Sequence, residues 1–307
     1  MRYWPFMEGT ETPAEPSEAE PPALPRQTTP FLVLQFFIFP MAIVAVCVTV
    51  FVIFGLIASE GKGARAYLDE VRTGSANRRW QAAFELSKVL QARKDPALAD
   101  PGFADELVRV FTSSSADDPR VRRYLVLALG RLGDKRAVPA LIQAADPSGD
   151  AAGDADAQVY AVWALGAIGD PSAVPTLVKL AGGEDAGVRK AAVHALGSFP
   201  GDASRAALAA ALGDRVEDVR WNAAVALARR RDPAGAPVLL EMMDRAHLGT
   251  VADLSPEQRD EAMLQAVQAA AVVPDPALHA ALERLRDSDP SLTVRSAARA
   301  ALEGGPR

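Results

Sequence analysis

VRRYLVLALG from Val121, AQVYAVWALG from Ala157, VRKAAVHALG from Val188, VRWNAAVALA from Val219 and VRSAARAALE from Val294 are versions of one phrase. A worn copy, RRWQAAFELS, starts at Arg78, and a loose one, EAMLQAVQAA, runs over 261–270. The Ala before each Leu falls at Ala128, Ala164, Ala195, Ala226 and Ala301, with Ala266 marking the loose copy. Self-similarity at roughly 20–50 residues marks a repeat architecture. Several copies are followed by a second apolar piece: AVPALIQAA from Ala137, AVPTLVKLA from Ala173 and GAPVLLEMM from Gly235. Each repeat therefore reads as two helices, and the chain is rich in Ala and Leu, which favour helix.

The punctuation agrees. Asp118-Pro119, Asp170-Pro171, Asp232-Pro233 and Asp289-Pro290 place an N-cap before Pro at the first helical position. Ser255 and Gln258 have capping-box spacing. Gly130, Gly166 and Gly197 fall where the first helix is expected to stop. One helix pair cannot bury both faces, so neighbours stack into a solenoid. The expected fold is all-α: a solenoid of helix pairs over 75–305, behind a single N-terminal span.

These phrases resemble the HEAT-repeat superfamily, in particular its short version in phycobilisome-associated lyase-like proteins. The resemblance covers about residues 75–305 and implies a HEAT-like α-solenoid. Most proteins of that kind are scaffolds or adaptors; a few attach bilins or act on DNA.

Ahead of the repeats, residues 31–58 read FLVLQFFIFPMAIVAVCVTVFVIFGLIA without a charge. About 20 apolar helical residues cross a bilayer, and a cleaved leader has a shorter core behind a basic start. The stretch reads as a transmembrane helix, kinked by Pro40 near one end. Residues 11–30 carry only Arg26, whereas 59–78 carry Lys62, Arg65, Arg72 and Arg78. That asymmetry puts the repeats in the cytoplasm and the tail outside a cell (inner) membrane. Residues 59–74 read as a juxtamembrane linker. The Pro- and Glu-rich tail, 1–30, reads as disordered. Its Tyr3, Trp4 and Phe6 form an apolar knot, either an interfacial anchor or a docking motif for a partner subunit.

Charge narrows the function. Lys+Arg total 33 against 39 Asp+Glu, net −6, which argues against nucleic-acid binding through bulk charge. The one cysteine, Cys47, excludes an internal disulfide and a Cys-based zinc cage. His194, His247 and His279 lie in different repeats, and no phosphate loop or nucleophile elbow occurs. Asp146, Asp150, Asp154 and Asp156 lack the ligand order of a calcium loop and read as a solvated linker. No catalytic activity, cofactor or metal is expected.

Arg79, Arg122, Arg189, Arg220 and Arg295 share one slot, with Gln158 in the third copy. Asp118, Asp185, Asp218 and Asp289 are their expected partners in a ladder of charge-assisted bonds; a phosphate-binding stripe is the alternative. Counting from the Val slot as zero at 100° per residue, positions 0, 4, 7 and 8 form the core face and 2 and 6 lie opposite. Position 6 holds Phe84, Leu127, Trp163, His194 and Val225; position 2 holds Trp80 and Trp221. Large side chains on a face that should be wet mark either contacts between stacked repeats or a protein-binding surface. The expectation is a membrane-anchored scaffold or adaptor, an accessory subunit of a membrane complex. Its alternative is a membrane-tethered protein like the bilin lyases.

Overall fold

A computed structural model describes residues 38–58, 62–115, 117–146, 155–252 and 254–304, with side chains as far as 53 in the first segment and from 156 in the fourth. The tail with Tyr3, Trp4 and Phe6 lies outside the described residues, as do Asp150 and Asp154 of the acidic loop. The chain falls into two units, Met1–Gly61 and Lys62–Arg307. In the first, Phe39–Ala58 forms α1, 20 residues without a charge. Pro40 is its second residue, and the stretch before 38 on which the expected kink depends lies outside the described residues. Over the described residues no helix is long and apolar enough to cross a membrane. Of the span expected over 31–58, the described residues hold this element, and 31–37 lie outside the described set.

The second unit is helical, without a strand among the described residues. Its helices are α2 (Ala64–Thr73), α3 (Ala76–Gln91), α4 (Pro101–Ser113), α5 (Pro119–Leu132), α6 (Val138–Ala145), α7 (Ala155–Ile168) and α8 (Val174–Ala181). They continue as α9 (Ala186–Leu196), α10 (Asp202–Ala211), α11 (Glu217–Arg229), α12 (Ala236–Met242), α13 (Arg245–Thr250), α14 (Pro256–Ala270), α15 (Pro276–Ser288) and α16 (Leu292–Gly304). The repeated phrase forms the first helices α3, α5, α7, α9, α11, α14 and α16, each packed on the next. The loose copy is thus a true first helix. Much of the expected linker is α2, which packs on α3 and buries Leu68 and Val71.

Caps start the helices where the sequence punctuates. Asp118 accepts from the Arg120 N–H, Asp185 from Val188, and Ser255 forms a full capping box with Gln258. Asp134, Asp170 and Asp232 open short 3-10 turns before α6, α8 and α12, each accepting an N–H two residues on. Asp289 accepts from the Ser291 N–H at 2.9 Å, just ahead of α16.

The glycines differ from expectation. Helices α5 and α7 run past Gly130 and Gly166 and end at Leu132 and Ile168, followed by Gly133 and Gly169 with φ of 75° and 70°. Those are the left-handed positions a helix C-terminus uses. Gly130 and Gly166 instead permit close stacking. A Cβ on Gly130 would lie 2.8 Å from Trp163 Cζ3 and 3.0 Å from Ala164 Cα; one on Gly166 would lie 2.9 Å from Ala195 Cβ. Gly197 directly follows α9, and a Cβ there would lie 3.0 Å from Ala226 Cβ. In these three repeats the Gly thus receives the repeated Ala of the next.

Core positions are buried: Val121, Val188 and Val219; Leu125, Ala161, Ala192 and Ala223; Leu129, Leu165, Leu196 and Leu227. One apolar cluster runs from Ala64 to Leu227 and a second from Trp221 to Ala298, meeting at α11.

Candidate protein-docking face

Trp80 and Phe84, on α3, are tied to the following repeat. Trp80 donates from Nε1 to Asn77 Oδ1 at 2.9 Å, and the Arg120 guanidinium lies 4.8 Å from its ring centroid. Phe84 meets Tyr124 edge to face at 5.2 Å. Arg123 likewise covers Tyr160 at 5.1 Å. An aromatic ring with a cation on its face joins neighbouring repeats at a modest gain, about 0.5–1 kcal/mol at exposed sites. Leu127, on α5, is half-buried. These three line neither of the grooves described next.

The remaining four come together. Trp163 is 41% exposed on α7. It borders a groove of about 520 Å³ between α7 and α9, with Gly166, Ala167 and Ala191 among its small lining residues and Lys190, His194 and Asn222 at its polar edge. His194 and Asn222 also line an adjoining groove of about 750 Å³ over α9, α11 and α14. That groove adds Trp221, Val225 and the terminal Arg229 from α11, Gln265 and Gln268 from α14, and Arg231 from the turn after α11. Trp221 corrects the expectation of an outward ridge: it is buried at 8% exposure in the cluster with Met263 and Val267. The next first helix covers it, which a helical wheel drawn for one helix cannot show. Its indole N–H has no hydrogen-bond partner.

Several of these residues escape a reading by repeat position. Arg229 and Arg231 belong to the run RRRD before Pro233, and Gln265 and Gln268 to the loosest copy. Tyr124 and Tyr160 occupy one shared slot in their copies, so that signal was present in the alignment.

The arginine slot is structural, with partners other than those expected. Arg79 forms a two-pronged pair with Asp117 and donates to the Val71 carbonyl at 2.7 Å. Buried Arg189 donates to both carboxylate oxygens of Asp214, at 2.8 and 3.0 Å, and to the Gly183 and Glu184 carbonyls. Arg220 and Arg295 donate to the Asp214 and Asp289 carbonyls. Arg122 covers the Phe111 ring. The slot therefore ties down backbone carbonyls of the chain entering its own repeat and, twice, a loop carboxylate further along. The expected acids serve elsewhere: Asp118 and Asp185 cap helices, Asp218 pairs with Lys190, and the Asp289 carboxylate takes Arg245. These bonds hold the Asp214 carboxyl below its ordinary pKa, Arg189 foremost, and raise that of Arg189. Asp156 pairs with Arg123, and no group of three His, Cys, Asp or Glu is placed to hold a metal among the described residues.

The family described as HEAT repeats matches residues 150–218, and the PBS lyase HEAT-like repeat matches 121–147 and 219–245. HEAT repeats are present in this chain. No curated protein matches it by sequence. Among solved structures, the complex of CpcE and CpcF of phycocyanin lyase from Nostoc sp. PCC7120 is 21% identical, over 80% of this chain and 97% of that chain, with a TM-score of 0.50. The E. coli protein YibA is 17% identical over 78% and 92%, with a TM-score of 0.46. Human deoxyhypusine hydroxylase is 19% identical over 82% and 98%, with a TM-score of 0.33. At such identity the likeness to the lyase complex is one of fold: the HEAT repeats here build an α-helical solenoid.

Proposed function

We propose that this chain is a non-catalytic scaffold, anchored in a membrane by residues 31–58, that holds partner proteins of a membrane complex at the cytoplasmic face. The observation that carries the docking role is the pair of adjoining grooves across α7, α9, α11 and α14, open beside the half-exposed Trp163. A concave surface with an aromatic wall and a few polar groups is where a partner side chain gains most on burial. The anchor rests on α1, whose apolar side chains are exposed throughout its described length, from Phe39 at 65% to Phe51 at 80%. Apolar area left in water costs about 25 cal/mol per Å², so lipid or membrane helices are the cover we assign. Anchoring raises the effective concentration of whatever docks.

Affinity purification of the full chain from gently solubilised membranes tests the reading. Defined membrane proteins should copurify, and Trp163→Ala should reduce their recovery. A chain that leaves the membrane fraction in alkaline carbonate, or that recovers no partner, overturns it. The PBS lyase HEAT-like matches favour one second reading, bilin attachment. Covalent chromophore transfer to an apoprotein by the purified chain would establish that reading in place of the scaffold.

A further inference from the structure

The chain carries net −6, yet neither groove has an Asp or Glu among its lining residues. Arg229 and Arg231 are exposed at the rim, and neither makes an ion pair among the described residues. Gln265, Gln268 and Asn222 add amides able to pair with an extended backbone. The neighbouring groove offers the contrary chemistry, small residues beside the Trp163 indole. His194 and Asn222 line both, so the two form one continuous surface.

Building on the docking role proposed above, we infer that this double groove receives an extended, acidic segment of a partner protein. One apolar side chain of the segment seats beside Trp163, and a carboxylate meets Arg229 and Arg231. Trp163 on α7 and the arginines at the end of α11 are two helix spacings apart, about 16–20 Å at 8–10 Å each. An extended chain covers that in about six residues at ~3.3 Å apiece. The segment thus carries a Leu, Phe or Trp about six residues from an Asp or Glu. Arginine forks recognise carboxylates in two-pronged pairs, which sets the charge of the partner.

The test is selection of random twelve-residue peptides displayed on phage against the full chain in detergent, followed by fluorescence anisotropy with the enriched peptides. Enriched sequences should hold an apolar and an acidic residue at about that spacing. Their affinity should fall about tenfold or more for the R229E/R231E double variant, with unchanged melting temperature, and for W163A measured well below its own melting temperature, and should weaken as salt rises. Four results overturn the inference: no enrichment; enrichment of neutral or basic peptides; binding unaffected by R229E/R231E; or displacement of the peptides by a single-stranded oligonucleotide. Copurification is scored alongside. Partners kept by the wild type and lost with W163A, without acidic peptides, leave the docking role standing and remove this inference. If neither partners nor acidic peptides are recovered, both fall.

Discussion

Trp163 and Trp221 stand a turn apart on the same face of their helices, at repeat positions 6 and 2, yet differ fivefold in exposure, 41% against 8%. Trp221→Ala should lower folding stability by about 3–5 kcal/mol, because it empties a buried site that neighbours cannot refill. Trp163→Ala should cost clearly less, because 41% of that side chain is already exposed, while weakening partner recovery. Thermal melts of the two variants side by side check this, and equal losses would overturn the assignment of Trp163 to a docking face. Arg189 and Asp214 make a second contrast at this scale. Asp214→Ala leaves a buried guanidinium without its counter-charge, at about 3–5 kcal/mol. Because the Asp214 pKa is lowered in the folded state, first of all by Arg189, its contribution is full above the unfolded carboxylate range and is lost as pH falls through the folded value. Urea midpoints measured from pH 7 to pH 3 should therefore fall more steeply for the wild type than for Asp214→Asn.

At the scale of one helix, small residues govern how closely repeats stack. Ala192 is wholly buried at the centre of α9, between α7 and α11. Ala192→Leu should overpack that layer by about 1–3 kcal/mol. Faster hydrogen exchange is expected through 185–230, and exchange unchanged there would contradict the stacking register. Gly130 makes the same point through a single methyl. Gly130→Ala gains at most about 1 kcal/mol of helix propensity. It must also push aside the Ala164 backbone, 3.0 Å away, which does not yield as a flexible side-chain tip would. The net effect on a thermal melt should be destabilising, whereas Gly182→Ala, 3.8 Å from the nearest carbonyl oxygen, should be tolerated.

In the whole molecule, stability is distributed along a line of nearest-neighbour interfaces, so damage at one layer should stay local. Two apolar clusters meeting at α11 make that helix the place where a break would divide the solenoid. Topology is the remaining question at this scale. With the repeats cytoplasmic, protease added outside sealed spheroplasts should remove only the N-terminal tail. Immunoblots showing digestion within 75–305, with the membrane intact, would reverse the orientation proposed from Lys62, Arg65, Arg72 and Arg78.

Repeat period, helix pairing, caps at Asp118, Asp170, Asp232 and Ser255, and the buried Val, Ala and Leu positions were all legible in the chain by itself. They depend on local chemistry and on a 3.6-residue period that each copy states again. Tertiary structure decided the rest. Trp221 is buried because α14 lies over it, and Gly130 is a contact residue because Trp163 and Ala164 arrive from the next repeat. Arg189 chooses Asp214 over the nearer acids because the loop after α10 brings that carboxylate to its fork. Arg229, at the end of α11, and Arg231, in the turn after it, share a groove with Gln265 and Gln268, far away in sequence, only because α14 stacks there. Periodicity tells which face of a helix is dry. Which partner covers that face, and which cations stay uncovered, depends on residues that only stacking brings together.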